Sequence, residues 1–420
     1  MTGTVLTILA MDWIEFAVRW LHVITAIAWI GSSFYFIALD LGLRKTQSLP
    51  AKAHGEEWQV HGGGFYHIQK YLVAPEHLPE HLTWFKWESY ATWLSGFALL
   101  AIVYYGGAEL YLIDESKMAL SVWQAVIISL ISLAGVWTIY SLLCRSPLAA
   151  NPTILMLVLY VMLVALSWGF HQIFTGRAAF IHLGAITATI MSANVFMVII
   201  PNQKIVVADL RAGRTPDAKY GRIAKLRSTH NNYLTLPVIF LMLSGHYPLA
   251  FATEYSWLIA SLVFLMGVTI RHYFNSRHAR AGNPRWTWVA TTAIFIIIMA
   301  LSIWPAMRDD NGDGMNTDDD TAMLTIPPHL QAFHNDERFE DVNDIVSGRC
   351  AMCHAAEPLW DGIAVAPKGI LLETPMQIAA EAKAIYIQSG VSHAMPPANV
   401  AYMEPEERAL IREWFEAAVN

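Results

Sequence analysis

The sequence predicts an all-α chain in two parts, a polytopic helical membrane bundle followed by a small helical domain. Composition is the first sign: hydrophobic residues make up 55% of the chain and charged residues 15%, against roughly 25% charged in ordinary soluble domains. The second is length. Apolar stretches at approximately 13–39, 88–106, 119–143, 153–175, 178–201, 230–247, 254–274 and 286–306 approach or exceed the roughly 20 residues that an α-helix needs to cross hydrocarbon. After residue 306 the pattern changes to a polar linker and then an ordinary amphipathic domain, which divides the chain into 1–306, 307–329 and 330–420.

The first stretch is too long for the core of a signal peptide and has no small-residue cleavage site, so it reads as a retained span. The second carries Glu88 and the sixth contains Pro237, so about eight transmembrane helices is an upper reading.

Orientation follows from the connections. Arg44, Lys45, Lys52, Lys70 and Lys86 follow the first span, Arg145 the third, Lys204 to Arg227 the fifth, and Arg271, Arg277, Arg280 and Arg285 the seventh; the alternate loops hold only Lys117 and Arg177. By the positive-inside rule the odd-numbered loops are cytoplasmic, which puts the N-terminus and the C-terminal domain outside. The expected location is a bacterial inner membrane with that domain in the periplasm.

The linker contains "MRDDNGDGMNTDDDTAM", in which Asp309, Asn311, Asp313, Gly314 and Asp320 fall on positions 1, 3, 5, 6 and 12 of a calcium loop. Position 12 has Asp for the usual Glu, and a solvated acidic linker is the competing reading.

In "GRCAMCHAAEP", Cys350, Cys353 and His354 form C-x-x-C-H, the pattern for covalent attachment of haem c: two thiols bond the porphyrin and the adjacent imidazole ligates the iron. A zinc half-site would need a second Cys/His pair, yet the only other cysteine, Cys144, lies in the apolar region. Met395 in "SHAMPPANV", held by Pro396 and Pro397, is the expected sixth ligand, with His393 its competitor. The closing segment "EPEERALIREWFEAAV" reads as an amphipathic helix with Leu410, Ile411, Trp414 and Phe415 on one side. From about residue 330 the chain resembles a class I-like cytochrome c domain. It is acidic, six Lys/Arg against fourteen Asp/Glu after residue 320, which suits a basic soluble cytochrome c as electron acceptor, although an acidic face also simply keeps a domain soluble.

Polar residues inside spans are costly and mark function. On the expected topology His22, His171, His182 and His246 gather near the outer face. His22, Ala26, Trp29 and Ser33 share one helical face with Arg19 one turn earlier, where a flat ring could approach and Arg19 could meet a propionate. This outer group is the candidate site of a haem b. Each histidine taken singly also reads as a hydrogen-bonded core or interfacial residue.

On the inner side, "EEWQVHGGGFYHIQK" places Glu57, Trp58, His61, Phe65 and His67 around three glycines, and "RSTHNNYLTLP" concentrates Arg227, Thr229, His230, Asn231, Asn232 and Tyr233. An arginine, amides and aromatics suit a planar anion with an amide-like edge. His230, Glu57 or His61 could take a proton. A polar helix cap and a glycine-rich loop would look the same.

The segments "LHVITAIAWIGSSFYF", "EEWQVHGGGFY", "GRAAFIHLGAITATIMSANVFMVIIPNQ" and "RSTHNNYLTLPVIFLMLSGHYP", followed by one cytochrome c, resemble the bacterial integral-membrane, cytochrome-c-linked urate oxidases, also called urate hydroxylases. The resemblance covers essentially the whole chain. It implies oxidation of urate to 5-hydroxyisourate with water as oxygen source. Electrons would pass to the chain's own haem c and onward, through soluble cytochrome c or a terminal oxidase, to the respiratory chain without hydrogen peroxide. The alternatives are a quinol-oxidising or gas-reducing respiratory subunit and a non-enzymatic electron conduit; an anchor would need only one span. No P-loop, dinucleotide fingerprint, zinc-protease motif or nucleic-acid signature is present.

Overall fold

The computed structural model describes residues 3–50, 52–71, 79–309, 326–361, 363 and 366–419. The chain divides into two compact units, one formed by residues 17–244 and 254–302, the other by 3–16, 245–253 and 303–419.

The larger unit is helical, and the first and last of its helices run past its boundaries at residues 17 and 302. Helix α1 spans Gly3–Gly42, α2 Trp87–Leu99 with a π-helical continuation Leu100–Tyr105, α3 Val122–Leu143 and α4 Pro152–Ile173. Then come α5 Gly176–Ala193, a π-helical segment Asn194–Ile199, α6 Ile200–Arg211, α7 Ala218–Leu243, α8 Ser256–His278 and α9 Trp286–Asp309. Asn151 and Thr175 cap α4 and α5 by accepting from the N–H groups of Ile154 and Ala178, and Pro152 sits in the first turn of α4.

Each expected span is therefore a helix, and among the described residues six helical stretches are long and apolar enough to cross a membrane. The exceptions are α2, which is short before its π-helical turn, and α7, whose first turns carry Lys219, Arg222, Lys225 and Arg227. The structure corrects the expected starts of both α1 and α7, since "RSTHNN" lies within α7 and is no cap. Arg271, counted above with the loop charges although it falls within the 254–274 stretch, lies inside α8, where it is buried.

Burial explains the pattern. Leu155, Leu159 and Leu163 of α4, Leu183, Ile186 and Ile190 of α5, Leu234, Val238 and Leu241 of α7 and Ile259, Val263 and Phe264 of α8 form the core at helical spacing. Ile27, Ile131, Val161, Val289 and Ile296 point outward and stay exposed, as lipid-facing residues do. A methyl on Gly267 would lie 2.5 Å from Pro237 Cδ, so the glycine makes room for the proline inside α7.

The first loop overturns the all-α expectation locally. Strands β1 Ala53–His61 and β2 Gly64–Tyr71 pair antiparallel, with Trp58 opposite His67 and Val60 opposite Phe65. Gly62 and Gly63 form the two-residue turn with φ of 59° and 80°, a conformation that glycine adopts without strain.

In the smaller unit, α10 Phe339–Arg349, α11 Pro375–Ala380 and α12 Pro405–Ala418 enclose Val342, Val346, Ile378, Tyr386, Ile411, Trp414 and Phe415, joined by Val5 of α1. Leu410 packs at the edge of this core, so α12 presents the expected face. Trp414 Nε1 donates to the Phe333 carbonyl at 2.9 Å, and Arg349 pairs with Glu407 at 2.8 Å. The calcium reading falls on Asn311, Asp313 and Asp320, outside the described residues; Asp309 is the last residue of α9.

Candidate functional site

Buried polar side chains from α3, the α5–α6 segment and α7 meet in the larger unit. Arg227, His230 and Asn231 project from α7, Tyr140 from α3, and Asn194 opens the π-helical segment after α5. All are buried, Arg227 to 2% and His230 to 1% exposure.

Their hydrogen bonds have a direction. The Met191 carbonyl accepts from Asn231 Nδ2 at 2.9 Å, which turns Asn231 Oδ1 toward Asn194 Nδ2 at 2.9 Å. Asn194 Nδ2 also donates to the Tyr140 hydroxyl at 3.0 Å, while Asn194 Oδ1 accepts from Arg227 Nη1 at 3.3 Å. With its oxygen already accepting, Tyr140 directs its own proton to His230 Nδ1, 2.8 Å away. That assignment puts the histidine proton on Nε2, which is buried and has no partner among the described residues. His230 thus presents an N–H donor in the resting state, where the sequence suggested a proton acceptor.

Arg227 also donates to the Ser141 carbonyl at 3.4 Å, and its guanidinium lies 4.8 Å from the Tyr140 ring centre. Asn232 lies on the other side of α7, where its Oδ1 accepts from Asn275 at 2.8 Å and from Arg271 at 3.4 Å; Arg271 stacks on Phe34 at 4.3 Å. Among the described residues neither Arg227 nor Arg271 forms an ion pair. Two buried cations without carboxylates suit an anionic ligand.

A cleft of about 440 Å³ beside the network is lined by Cys144, Arg145, Met197, Asn202, Ile223 and Arg227, among others. Cys144 Sγ is 4.0 Å from His230 Nδ1.

Glu57 and His61 are placed elsewhere. His61 is exposed at the hairpin turn, and Glu57 packs against the end of α1, where a methyl on Gly42 would lie 2.9 Å from its Oε2. Tyr140, Asn194, Arg271 and Asn275 escaped the sequence reading. Their signal is faint: an aromatic in an apolar run, or one amide or guanidinium inside or just past a predicted span.

The outer histidines each serve a separate contact. His22 Nδ1 meets the Thr92 carbonyl at 3.0 Å and Ser95 Oγ at 3.1 Å; His171 Nδ1 meets Ser256 Oγ at 2.7 Å. His182 uses both nitrogens, bonding the Ala178 carbonyl and Ser129 Oγ at 2.8 Å each. His246 is exposed in the Ser244–His246 turn and belongs to the smaller unit, while Arg19 is half-exposed one turn before His22. With both ring nitrogens engaged, His182 has no free lone pair.

The C-x-x-C-H residues fit a haem better. Cys350 closes α10, and its carbonyl accepts from the N–H groups of Cys353 at 3.1 Å and His354 at 2.9 Å, a tight turn that holds the three residues in one stretch of backbone. His354 Nδ1 donates to the Ile370 carbonyl at 3.0 Å, leaving Nε2 for an iron. Burial pushes the Cys350 thiol up to about 12 and that of Cys353 in the same direction, unlike the activated thiolates of a redox pair. Met395 is held by its own backbone: its N–H donates to Gln388 at 2.9 Å and its carbonyl accepts from buried Arg408 at 2.8 Å.

Comparison with known families decides the affiliation of the larger unit. The family described as urate oxidase, N-terminal, matches residues 8–302. The chain belongs to the urate oxidase N-terminal family. Membership makes it a urate-oxidase-related oxidoreductase, and the apolar helices make this member a multi-pass membrane protein. No curated protein and no solved structure matched the chain. In family terms the matched region contains the whole Arg227–Asn194–Tyr140–His230 network and ends before the C-x-x-C-H segment.

Proposed function

We propose that the chain oxidises urate to 5-hydroxyisourate, taking the oxygen from water and releasing two electrons and two protons. The observation that carries this reading is the family match over a region holding a buried arginine that, among the described residues, pairs with no carboxylate, beside a hydrogen-bond network in which His230 Nε2 has no partner among them.

Urate at neutral pH is a planar monoanion with alternating N–H and C=O groups along its edge. Arg227 supplies the counter-charge, and its bond to Asn194 fixes the guanidinium plane. His230 Nε2–H donates to an acceptor on the ring edge, its tautomer set by Tyr140. Asn194 and Asn231 lock one another and keep Tyr140 from turning away. The burial of these groups excludes bulk water, so the charge that develops on the ring during oxidation is met by fixed dipoles.

Cys350, Cys353, His354 and Met395 would hold a haem c, which supplies one-electron acceptance and onward transfer to a soluble cytochrome c or terminal oxidase. Such a route needs no oxygen and makes no hydrogen peroxide. By the loop charges this domain is periplasmic.

The test is an anaerobic optical titration of the oxidised, detergent-solubilised protein with urate. Reduction of the haem band with appearance of 5-hydroxyisourate is expected. A haem that dithionite reduces and urate does not would overturn the proposal.

A further inference from the structure

We infer that the cleft beside Cys144 is the port and docking site of the urate anion, opening on the cytoplasmic side. This rests on the urate reading above and adds the place and side of access.

The cleft lies where three helices end or bend: Cys144 and Arg145 follow α3, Met197 and Asn202 flank the start of α6, and Ile223 and Arg227 belong to the first turns of α7. Its volume of about 440 Å³ falls within the roughly 300–1,000 Å³ of small-molecule sites. Arg145 is exposed at the rim and Arg227 is buried at depth, and among the described residues no Asp or Glu lines the cleft. A concave surface with cations at its mouth and floor and no opposing carboxylate concentrates anions. Met197, Val198 and Ile223 offer apolar wall for the faces of a flat ring.

The floor is shared with the network. Arg227 lines the cleft and donates to Asn194, and Cys144 lines it 4.0 Å from His230 Nδ1. A neutral quinol would leave the buried guanidinium uncompensated; an anion compensates it. The connections flanking the cleft, 144–151 and 212–217, lie on the side that the loop charges make cytoplasmic.

Cysteine count provides the test. The chain has three cysteines, and attachment of haem to Cys350 and Cys353 leaves Cys144 as the single free thiol. Holoprotein in vesicles of known orientation is treated with a small, membrane-impermeant anionic methanethiosulfonate, with and without urate, while urate oxidation is measured in the same preparation. Cys144→Ala sets the background, and Ile223→Cys in that background places a second thiol at the mouth should Cys144 be too enclosed to react.

Modification from the cytoplasmic face alone is expected, slowed about tenfold at urate ten times its apparent Kd. Arg145→Gln should slow the anionic reagent more than a cationic one. Modification of both thiols that urate does not slow, or that proceeds only from the periplasmic face, would overturn the port even where urate is oxidised. Protection without oxidation keeps the port and removes the oxidation reading, and neither protection nor oxidation removes both.

Discussion

Tyr140 and His230 stand 90 positions apart in the chain and meet at 2.8 Å in the interior, with the Tyr140 oxygen also held by Asn194 at 3.0 Å. Removing the hydroxyl in Tyr140→Phe leaves one N–H of Asn194 without an acceptor and frees the His230 tautomer. We expect kcat for urate oxidation to fall about tenfold or more, corresponding to ~1.4 kcal/mol, the scale of one buried hydrogen bond. His230→Ala should abolish turnover, and both variants should keep the spectrum of the C-terminal domain. Wild-type kcat in Tyr140→Phe would remove the pair from the mechanism.

Arg227 is the buried cation nearest the network, so Arg227→Gln tests charge recognition. A charge-assisted hydrogen bond contributes roughly 1.5–3 kcal/mol, which predicts KM for urate rising roughly 10- to 150-fold. Arg227→Lys should not restore it, because the fork reaching Asn194 and the Ser141 carbonyl needs two separated N–H groups. An unchanged KM in Arg227→Gln would put the anion elsewhere, with Arg271 the next candidate.

The hairpin has its own pH dependence. The Thr46 hydroxyl, and then the His67 ring at 2.7 Å, hold the Glu56 carboxyl below the usual carboxylate range. The unfolded carboxyl therefore takes up a proton at a higher pH than the folded one. The contribution to stability is complete above the ordinary carboxylate pKa and is lost as pH falls through the depressed value. Trp58, stacked on His67 at 4.2 Å, reports it: its fluorescence should change on acidification, and Glu56→Gln should remove that transition.

Gly267 tests close packing. Gly267→Ala would drive a methyl into Pro237, and we expect a loss of about 1–3 kcal/mol, read as a lower thermal midpoint in detergent. Gly135→Ala, with nothing within 4 Å, is the matched control.

Much of this architecture is legible in the sequence because membrane helices declare themselves by length: the apolar runs at 119–143 and 153–175 end within a few residues of α3 and α4. The hairpin is not so obvious. Its turn glycines look like a loop, and its outward Trp58, Val60 and Phe65 lack the clean polar alternation of a strand on a soluble core. Arg227, His230 and Asn231 stood out as polar residues beside an apolar run, and they do share a site. The glycines beside His61 suggest a shared loop with them, whereas its neighbours follow from strand register, which sets it opposite Gly64. Tyr140 and Asn194 were out of reach for another reason: which faces of α3 and α5 turn toward α7 is decided by packing among helices, and no single helix carries that information.

The fit of Pro237 against Gly267 also constrains how this chain can diverge over evolutionary time. A side chain at 267 is costly while the pyrrolidine ring occupies 237 and less so once the ring is gone, so replacing the proline first is the easier order. Lineages descending from this sequence should keep both residues or replace the proline first, and a double-mutant cycle on Pro237→Ala and Gly267→Ala should measure a coupling that offsets part of the single costs.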